Sequence, residues 1–85
     1  MKYKIVYTKQ AEKDYQKVKR FSALFANVKK IINILKSNPF MPPYEKLAGI
    51  ENTYSKRINI QHRLVYEVFE KENTIKVIRM WSHYE

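Results

Sequence analysis

Residues 54–81 read YSKRINIQHRLVYEVFEKENTIKVIRMW, and this stretch decides the fold. Apolar and polar residues alternate along three runs, 54–60, Arg63–Phe69 and 74–81, and such alternation is typical of strands with one buried face. The turns between the runs, residues 60–62 and 71–73, are short and largely polar. The stretch therefore predicts an antiparallel meander of three strands.

The residues before this meander follow a helical period. Between residues 24 and 35 the apolar side chains recur at the spacing of one helix face, and Asn38-Pro39 ends the pattern. A shorter amphipathic segment begins after Thr8, which can cap a helix, and Ser22 is a candidate cap for the second helix. Two amphipathic helices with a short connection predict a hairpin that covers a sheet.

One further strand precedes the helices, because residues 3–7 also alternate. The order β-α-α-β-β-β predicts an α+β fold in which a helical hairpin packs on one face of a four-stranded, mainly antiparallel sheet. Residues 39–52 hold all three prolines and the only glycine, and we interpret them as a loop stiffened by Pro42-Pro43. We expect residues 1–85 to form a single domain, because a chain of this size buries only about 60–65% of its unfolded surface.

The composition narrows the class of function. Without cysteine there is no disulfide framework, zinc knuckle or thiol nucleophile. The sequence has no His/Asp/Glu cluster with metal-ligand spacing and no glycine-rich phosphate loop, so we expect no metal and no cofactor. The N-terminal residues never run beyond three apolar positions, which predicts neither a signal peptide nor a membrane span and favours a cytoplasmic protein.

The charge balance favours a polyanionic partner. Lys and Arg number 17 against 8 Asp and Glu, a net charge of +9, and ten of the basic residues lie before residue 41. Several of them fall outside the apolar stripes of the predicted helices, including Lys13, Lys17, Lys29 and Lys30. The interpretation is either a functional basic surface for nucleic acid or a solvated helix face.

Five residues are candidates for chemistry. Arg63 opens a predicted strand, Arg57 lies on the preceding one, and a guanidinium fork matches the oxygens of a phosphate. Glu45 lies in the proline-containing loop, and His83-Tyr84 follows the last strand, where His can exchange a proton at neutral pH. Each residue has a structural alternative: a surface Arg, a solubility Glu or a frayed end.

Together these groups fit cleavage of RNA without a metal. In such a reaction a base takes the proton of a 2′-OH, cations stabilise the crowded phosphate and an acid protonates the leaving 5′-oxygen. The residues alone make this a chemical possibility and leave the non-catalytic alternatives open.

The segments 54–58 (YSKRI) and 62–66 (HRLVY), with the late His83-Tyr84, resemble the YoeB/Txe branch of the RelE-like toxins. These are ribosome-dependent mRNA endonucleases of bacterial type II toxin–antitoxin pairs. The resemblance covers essentially the whole chain and implies a RelE-like fold in the bacterial cytoplasm. It further implies cleavage of mRNA in the ribosomal A site, leaving a 2′,3′-cyclic phosphate.

The resemblance also assigns roles. It makes Glu45 the general base, Arg63 the contact to the scissile phosphate and Arg57 its support. It makes His83 the general acid and Tyr84 the residue that orients or stacks on the substrate base. The partners that it implies are a cognate antitoxin, which blocks the site, mRNA and the 16S rRNA held by the basic helices. Operator DNA would be contacted indirectly, through the antitoxin complex, and no membrane is involved.

The chain departs from the family pattern at two places. A Lys often follows the loop Glu by three positions, but here that position is Ala48, so Lys46 becomes a secondary candidate for phosphate binding. Glu85 follows the His-Tyr pair, and its charge is expected to raise the pKa of His83. Two alternatives stay open: a non-catalytic RNA- or ribosome-binding module, and a decayed toxin acting only in an antitoxin-containing repressor complex.

Overall fold

The computed structural model describes residues 2–81 and has an α+β architecture. Two helices pack on one face of a five-stranded sheet with strand order β1-β5-β4-β3-β2. β1 runs parallel to β5, and the other neighbouring strands are antiparallel. In chain order the elements are β1 Lys4–Tyr7, α1 Lys9–Val18, α2 Ser22–Ser37, β2 Glu45–Lys46, β3 Thr53–Arg57, β4 Arg63–Phe69 and β5 Thr74–Arg79.

The α+β class and the helical hairpin are confirmed, but the strand count is five instead of four. The additional strand, β2, has only two residues, which pair with β3 inside the segment predicted as a loop. Two residues are too few for an alternating pattern, so periodicity gives no signal there.

The first meander strand ends earlier than residue 60, because a turn begins at Ile58. The Ile58 and Asn59 amides donate to the His62 carbonyl at 2.8 and 3.2 Å. The Asn59 side-chain oxygen in turn accepts from the amides of Gln61 and His62. An Asn that bonds its own backbone two or three residues ahead competes with the strand ladder, and this ends β3 at Arg57. The last strand likewise ends at Arg79, short of residue 81.

Of the two predicted helix caps, one is confirmed. Thr8 caps α1, since its hydroxyl oxygen accepts from the Ala11 amide at 3.0 Å. Ser22 does not cap α2, because it is already the first helical residue. The capping position is Phe21, which makes no side-chain cap bond and instead stacks on Trp81 with ring centroids 5.6 Å apart. α2 therefore begins without a side-chain cap.

The core lies between the helices and the sheet face that they cover. Tyr66 is at its centre, fully buried, with its hydroxyl donating to the Pro39 carbonyl at 2.7 Å. Burial raises the pKa of the Tyr66 phenol, and the neighbouring phenols of Tyr44 and Tyr54 add to this. The other buried apolar residues of this core include Ala11, Val18, Leu24, Val28, Leu35, Leu64, Val68, Ile75, Val77 and Met80.

Between residues 2 and 81, neither helix has the length and apolar character needed to cross a membrane.

Candidate active site on the open face of the sheet

The second face of the sheet carries the charged candidates. Side chains of consecutive strand residues point to opposite faces, so Leu64, Tyr66 and Val68 face the helices while Arg63 and Val65 face away. The strand register places residues from four strands on this second face. We call it the open face, and define it by Glu45, Ser55, Arg57, Arg63, Val65 and Arg79.

Glu45 and Arg63 meet on the open face. The Arg63 Nη1 atom forms an ion pair and hydrogen bond with the Glu45 Oε1 atom, although 18 residues separate them in sequence. The Glu45 side chain is 67% exposed and that of Arg63 22% exposed. An ion pair as exposed as this contributes only about 0–1 kcal/mol to stability. The arrangement therefore presents an accessible carboxylate beside a partly buried cation.

Arg57, which the sequence places on the strand before Arg63, lies directly opposite it in the β3–β4 ladder. Like charges at opposed ladder positions repel each other and destabilise the sheet. Glu45 offsets part of this repulsion through Arg63. An anion between the two guanidinium groups would offset the rest, so the pair has the electrostatics of a phosphate-binding site.

Lys56 holds the loop that delivers Glu45, a role that the sequence analysis missed. Its ammonium donates to the carbonyls of Met41 and Pro43 at 2.6 and 3.0 Å, and its side chain is almost fully buried on the helix-covered face. This burial lowers the pKa of Lys56. Because Pro43 is two residues before Glu45, the contact fixes the chain where it enters β2. In the sequence, Lys56 looked like an ordinary strand lysine.

Arg79 was also missed, because a bulge places it on the open face. Tyr66 pairs with Val77 and Val65 pairs with Arg79, so Ile78 is an extra residue in β5. Without this residue, Val77 and Arg79 would share the helix-covered face. The Thr8 hydroxyl donates to the Ile78 carbonyl at 2.9 Å and ties the bulge to the start of α1. Alternation in the sequence gives no sign of this shift.

The chain just after β5 is anchored from three sides. The buried carboxylate of Asp14 accepts the amides of Met80 at 3.0 Å and Trp81 at 3.3 Å. The Trp81 ring stacks on His62 with centroids 4.2 Å apart and on Phe21 with centroids 5.6 Å apart. These contacts fix Trp81 next to the turn that precedes Arg63, two residues before His83.

The predicted acid His83 and the predicted stacking residue Tyr84 lie outside the described residues, as does Glu85. Their roles stay predictions. Lys46 is described, and the register separates it from the group on the open face. It pairs with Tyr54, so it points to the face opposite that of Glu45. Adjacency in sequence was a poor guide here, because neighbouring strand residues alternate.

The four lysines assigned to a basic surface are all exposed, but they lie beside different parts of the molecule. The Lys17 ammonium lies 5.5 Å from the centroid of the Trp81 ring, near the end of β5. The Lys29 ammonium lies 5.0 Å from the Phe25 ring, on α2. Lys13 lines a shallow groove beside Tyr7 and Tyr15, and Lys30 lies next to Lys29 in sequence. Their assignment to rRNA binding stays a prediction.

Solved structures of toxins share this fold. A YoeB/ParE toxin from Agrobacterium tumefaciens is 29% identical, with a TM-score of 0.87 over 95% of this chain and 99% of that one. YoeB from Staphylococcus aureus, solved as a dimer, is 28% identical, with a TM-score of 0.85 over 99% of this chain and 100% of that one. The same toxin in complex with YefM gives 28% identity and a TM-score of 0.80 over 99% of this chain and 100% of that one. These matches confirm the predicted likeness to the YoeB branch of the RelE-like toxins.

A protein-family model extends the match to sequence. The model described as the ParE toxin of type II toxin–antitoxin system, parDE, matches residues 5–85. The chain therefore belongs to this family and is a toxin of a type II toxin–antitoxin system. Among curated protein sequences, none matches the chain significantly.

Proposed function

We propose that this toxin is an endoribonuclease that cleaves mRNA in the ribosomal A site, with the 2′-OH of the substrate as nucleophile. The observation that carries the proposal is the Glu45–Arg63 pair with Arg57 opposite Arg63. A carboxylate is a poor choice for a surface that only binds phosphate, because like charges repel. Beside two arginines, it has a use as a base.

The proposed reaction has one bond formed and one broken. Glu45 takes the proton of the 2′-OH, and the 2′-oxygen attacks the adjacent phosphorus. Arg63 and Arg57 stabilise the extra negative charge that develops on the phosphate oxygens. The bond between the phosphorus and the 5′-oxygen then breaks, and His83 donates a proton to that oxygen. Tyr84 stacks on the substrate base. The products are a 2′,3′-cyclic phosphate and a 5′-hydroxyl.

The proposal includes partners. YoeB from Staphylococcus aureus is found in a complex with YefM, which supports a cognate antitoxin for this chain as well. Through that antitoxin, the complex would contact operator DNA. The exposed lysines of the two helices are assigned to the 16S rRNA, and the cytoplasm is the compartment in which ribosomes are met. The net charge of +9 supports a polyanionic partner.

The test is primer extension on a reporter mRNA translated in vitro with added protein, beside a translation-blocked control. Glu45→Gln and Arg63→Ala are each expected to lower cleavage about 10²- to 10⁴-fold. Glu51→Gln and Arg20→Ala, at exposed positions away from the open face, are the matched controls and should cleave like the parent.

Ribosome co-sedimentation separates this function from the alternatives. Glu45→Gln should bind ribosomes as the parent does and lose only cleavage. A parent protein that binds ribosomes without cutting mRNA would favour the non-catalytic module. Neither binding nor cutting, with antitoxin affinity retained, would favour a decayed toxin in a repressor complex.

A further inference from the structure

Two buried polar atoms on the open face have no hydrogen-bond partner within residues 2–81. They are the Ser55 hydroxyl oxygen and the Arg79 Nε atom. Ser55 and Arg79 both lie opposite Val65, one on each neighbouring strand. Both orphaned atoms therefore belong to one row of side chains that crosses the sheet from Glu45 to Arg79.

Such atoms are rare in folded proteins, because each one forgoes its hydrogen bonds to water without replacement. Ser55 is only 1% exposed, so bulk water has little access to its hydroxyl. A guanidinium with an unused N–H matches the oxygens of a phosphate in geometry and charge. Val65, which lies between them, is also only 1% exposed, so a ligand oxygen that moves aside the groups covering this row would give both atoms a partner.

The charge of the open face indicates how many phosphates fit. Three arginines and one glutamate leave two net positive charges on the open face. Farther along the sheet, Glu67 and Lys76 face each other with 3.8 Å between their charged atoms and add no net charge, and Lys4 lies beyond them on the edge strand β1. Since each phosphodiester carries one negative charge, two phosphodiesters would neutralise the site.

The register separates the arginines into two positions. Arg63 is two residues from Val65 on β4, whereas Arg79 is directly across from Val65 on β5. Residues in this diagonal relation have Cα atoms about 7–8 Å apart. Arg63 is held by Glu45 on one side, and Arg79 lies on the other side of the buried Val65 floor. This separation allows the two guanidinium groups to contact different phosphates.

We propose that Arg79, with Ser55, forms a second phosphate subsite beside Arg63, so that the site binds a ribonucleotide chain through two consecutive phosphates. The inference rests on the proposed function, and it extends that function to a residue on β5. Arg63 takes the scissile phosphate, and Arg79 takes its neighbour along the chain. The bulge at Ile78 is what makes the subsite, because it turns Arg79 to this face.

The test compares two probes, adenosine 3′,5′-bisphosphate and adenosine 3′-monophosphate, by isothermal titration calorimetry on the full chain. The parent should prefer the bisphosphate. Arg79→Gln should weaken bisphosphate binding about tenfold to a hundredfold, abolishing the preference, and leave monophosphate binding unchanged. Arg63→Ala should weaken both. Lys76→Gln removes one charge from the same strand and face, and it should keep the preference.

Arg79→Lys is the control for misfolding, because it keeps the charge and most of the aliphatic side chain but loses the planar guanidinium group. It should lose part of the preference, with a circular dichroism spectrum like that of the parent. Retention of the full preference by Arg79→Gln would overturn the subsite. A parent that does not prefer the bisphosphate, whether it binds both probes or neither, would overturn it too.

The outcome is independent of the nuclease assay. If translated mRNA stays uncut while the bisphosphate preference depends on Arg79, the subsite holds and the nuclease proposal fails. If mRNA is cut and the preference is absent, the nuclease holds and the subsite fails.

Discussion

Asp14 is the residue whose removal tests the anchoring of β5 most directly. The residue is 1% exposed, and its carboxylate reaches from α1 to the chain just after β5. Both backbone amides, of Met80 and Trp81, donate to the Oδ2 atom, at 3.0 and 3.3 Å, while Gln10 donates to the Oδ1 atom at 2.9 Å. We predict that Asp14→Ala destabilises the protein strongly, because it leaves two interior amides without an acceptor.

The magnitude follows from these contacts. A hydrogen bond to a charged group contributes about 1.5–3 kcal/mol. We assign a contribution in that range to the hydrogen bond from Met80 and about half as much to the longer hydrogen bond from Trp81. The hydrogen bond from Gln10 adds little, because its amide can turn to water. Relief of the buried charge offsets part of the loss, which leaves about 3 kcal/mol. For a domain of this size that lowers the melting temperature by about 12–24 °C.

Asp14→Asn sharpens the prediction. The Asn oxygen can take the place of Oδ2 and accept both amides, and Gln10 can turn its amide to present an oxygen to the new NH2 group. Only the charge assistance is lost, so the free energy of unfolding should fall by about 1 kcal/mol, which is about 4–8 °C.

The assay is thermal unfolding by circular dichroism, with urea unfolding as a second measure of the free energy. Gln16→Ala, an exposed change on the same helix, is the control and should shift the melting temperature by less than about 4 °C. If Asp14→Ala behaves like Gln16→Ala, Asp14 does not anchor β5. If Asp14→Asn and Asp14→Ala lower the free energy of unfolding equally, the assignment of both amides to one oxygen is wrong.

Three further predictions concern the loop, the core and the basic surface. Lys56→Met should lower the free energy of unfolding by less than about 1 kcal/mol, because the carbonyls that it releases are in exposed residues. It should speed chymotryptic cleavage after Tyr44 and lower mRNA cleavage, and unchanged proteolysis would mean that the ammonium does not hold the loop. The raised pKa of Tyr66 means that above pH 10 the unfolded chain releases a proton that the folded one keeps, so stability should fall by up to about 1.4 kcal/mol per pH unit, and urea titrations of Tyr66→Phe should show a shallower decline. Charge reversal of Lys29 and Lys30 should weaken ribosome co-sedimentation and flatten its dependence on salt, whereas an unchanged salt slope would identify only a solvated helix face.

Sequence periodicity predicted the elements that are long and regular. The run Arg63–Phe69 forms a strand with those bounds, because Leu64, Tyr66 and Val68 recur at every second position and are buried against the helices. The second helix was equally clear, since its apolar stripe continues for more than three turns. The short β2 was not predictable, because its two residues are held by partners on β3 and by the loop contact of Lys56.

Some residues of the candidate site were likewise predictable from the sequence, and others were not. The facing of Arg57 and Arg63 followed from two adjacent strands and a short turn. The meeting of Glu45 with Arg63 followed from the family resemblance alone, because their spacing in sequence has no local signature. The position of Arg79 on the open face was not predictable, since a single extra residue in β5 reverses the face that alternation assigns to it. The burial of Asp14 and Lys56 has no signal in the sequence, because burial of a charge depends on tertiary contacts.

The stacking of Trp81 on His62 and on Phe21 has a spectroscopic consequence. Trp81 is the only tryptophan in the chain, so all of the indole fluorescence originates at the end of β5, against the turn that leads into Arg63. Displacement of that turn changes the surroundings of this one emitter. The protein thus carries a native optical probe of its own site, and binding of a nucleotide or an antitoxin can be titrated without attaching a dye.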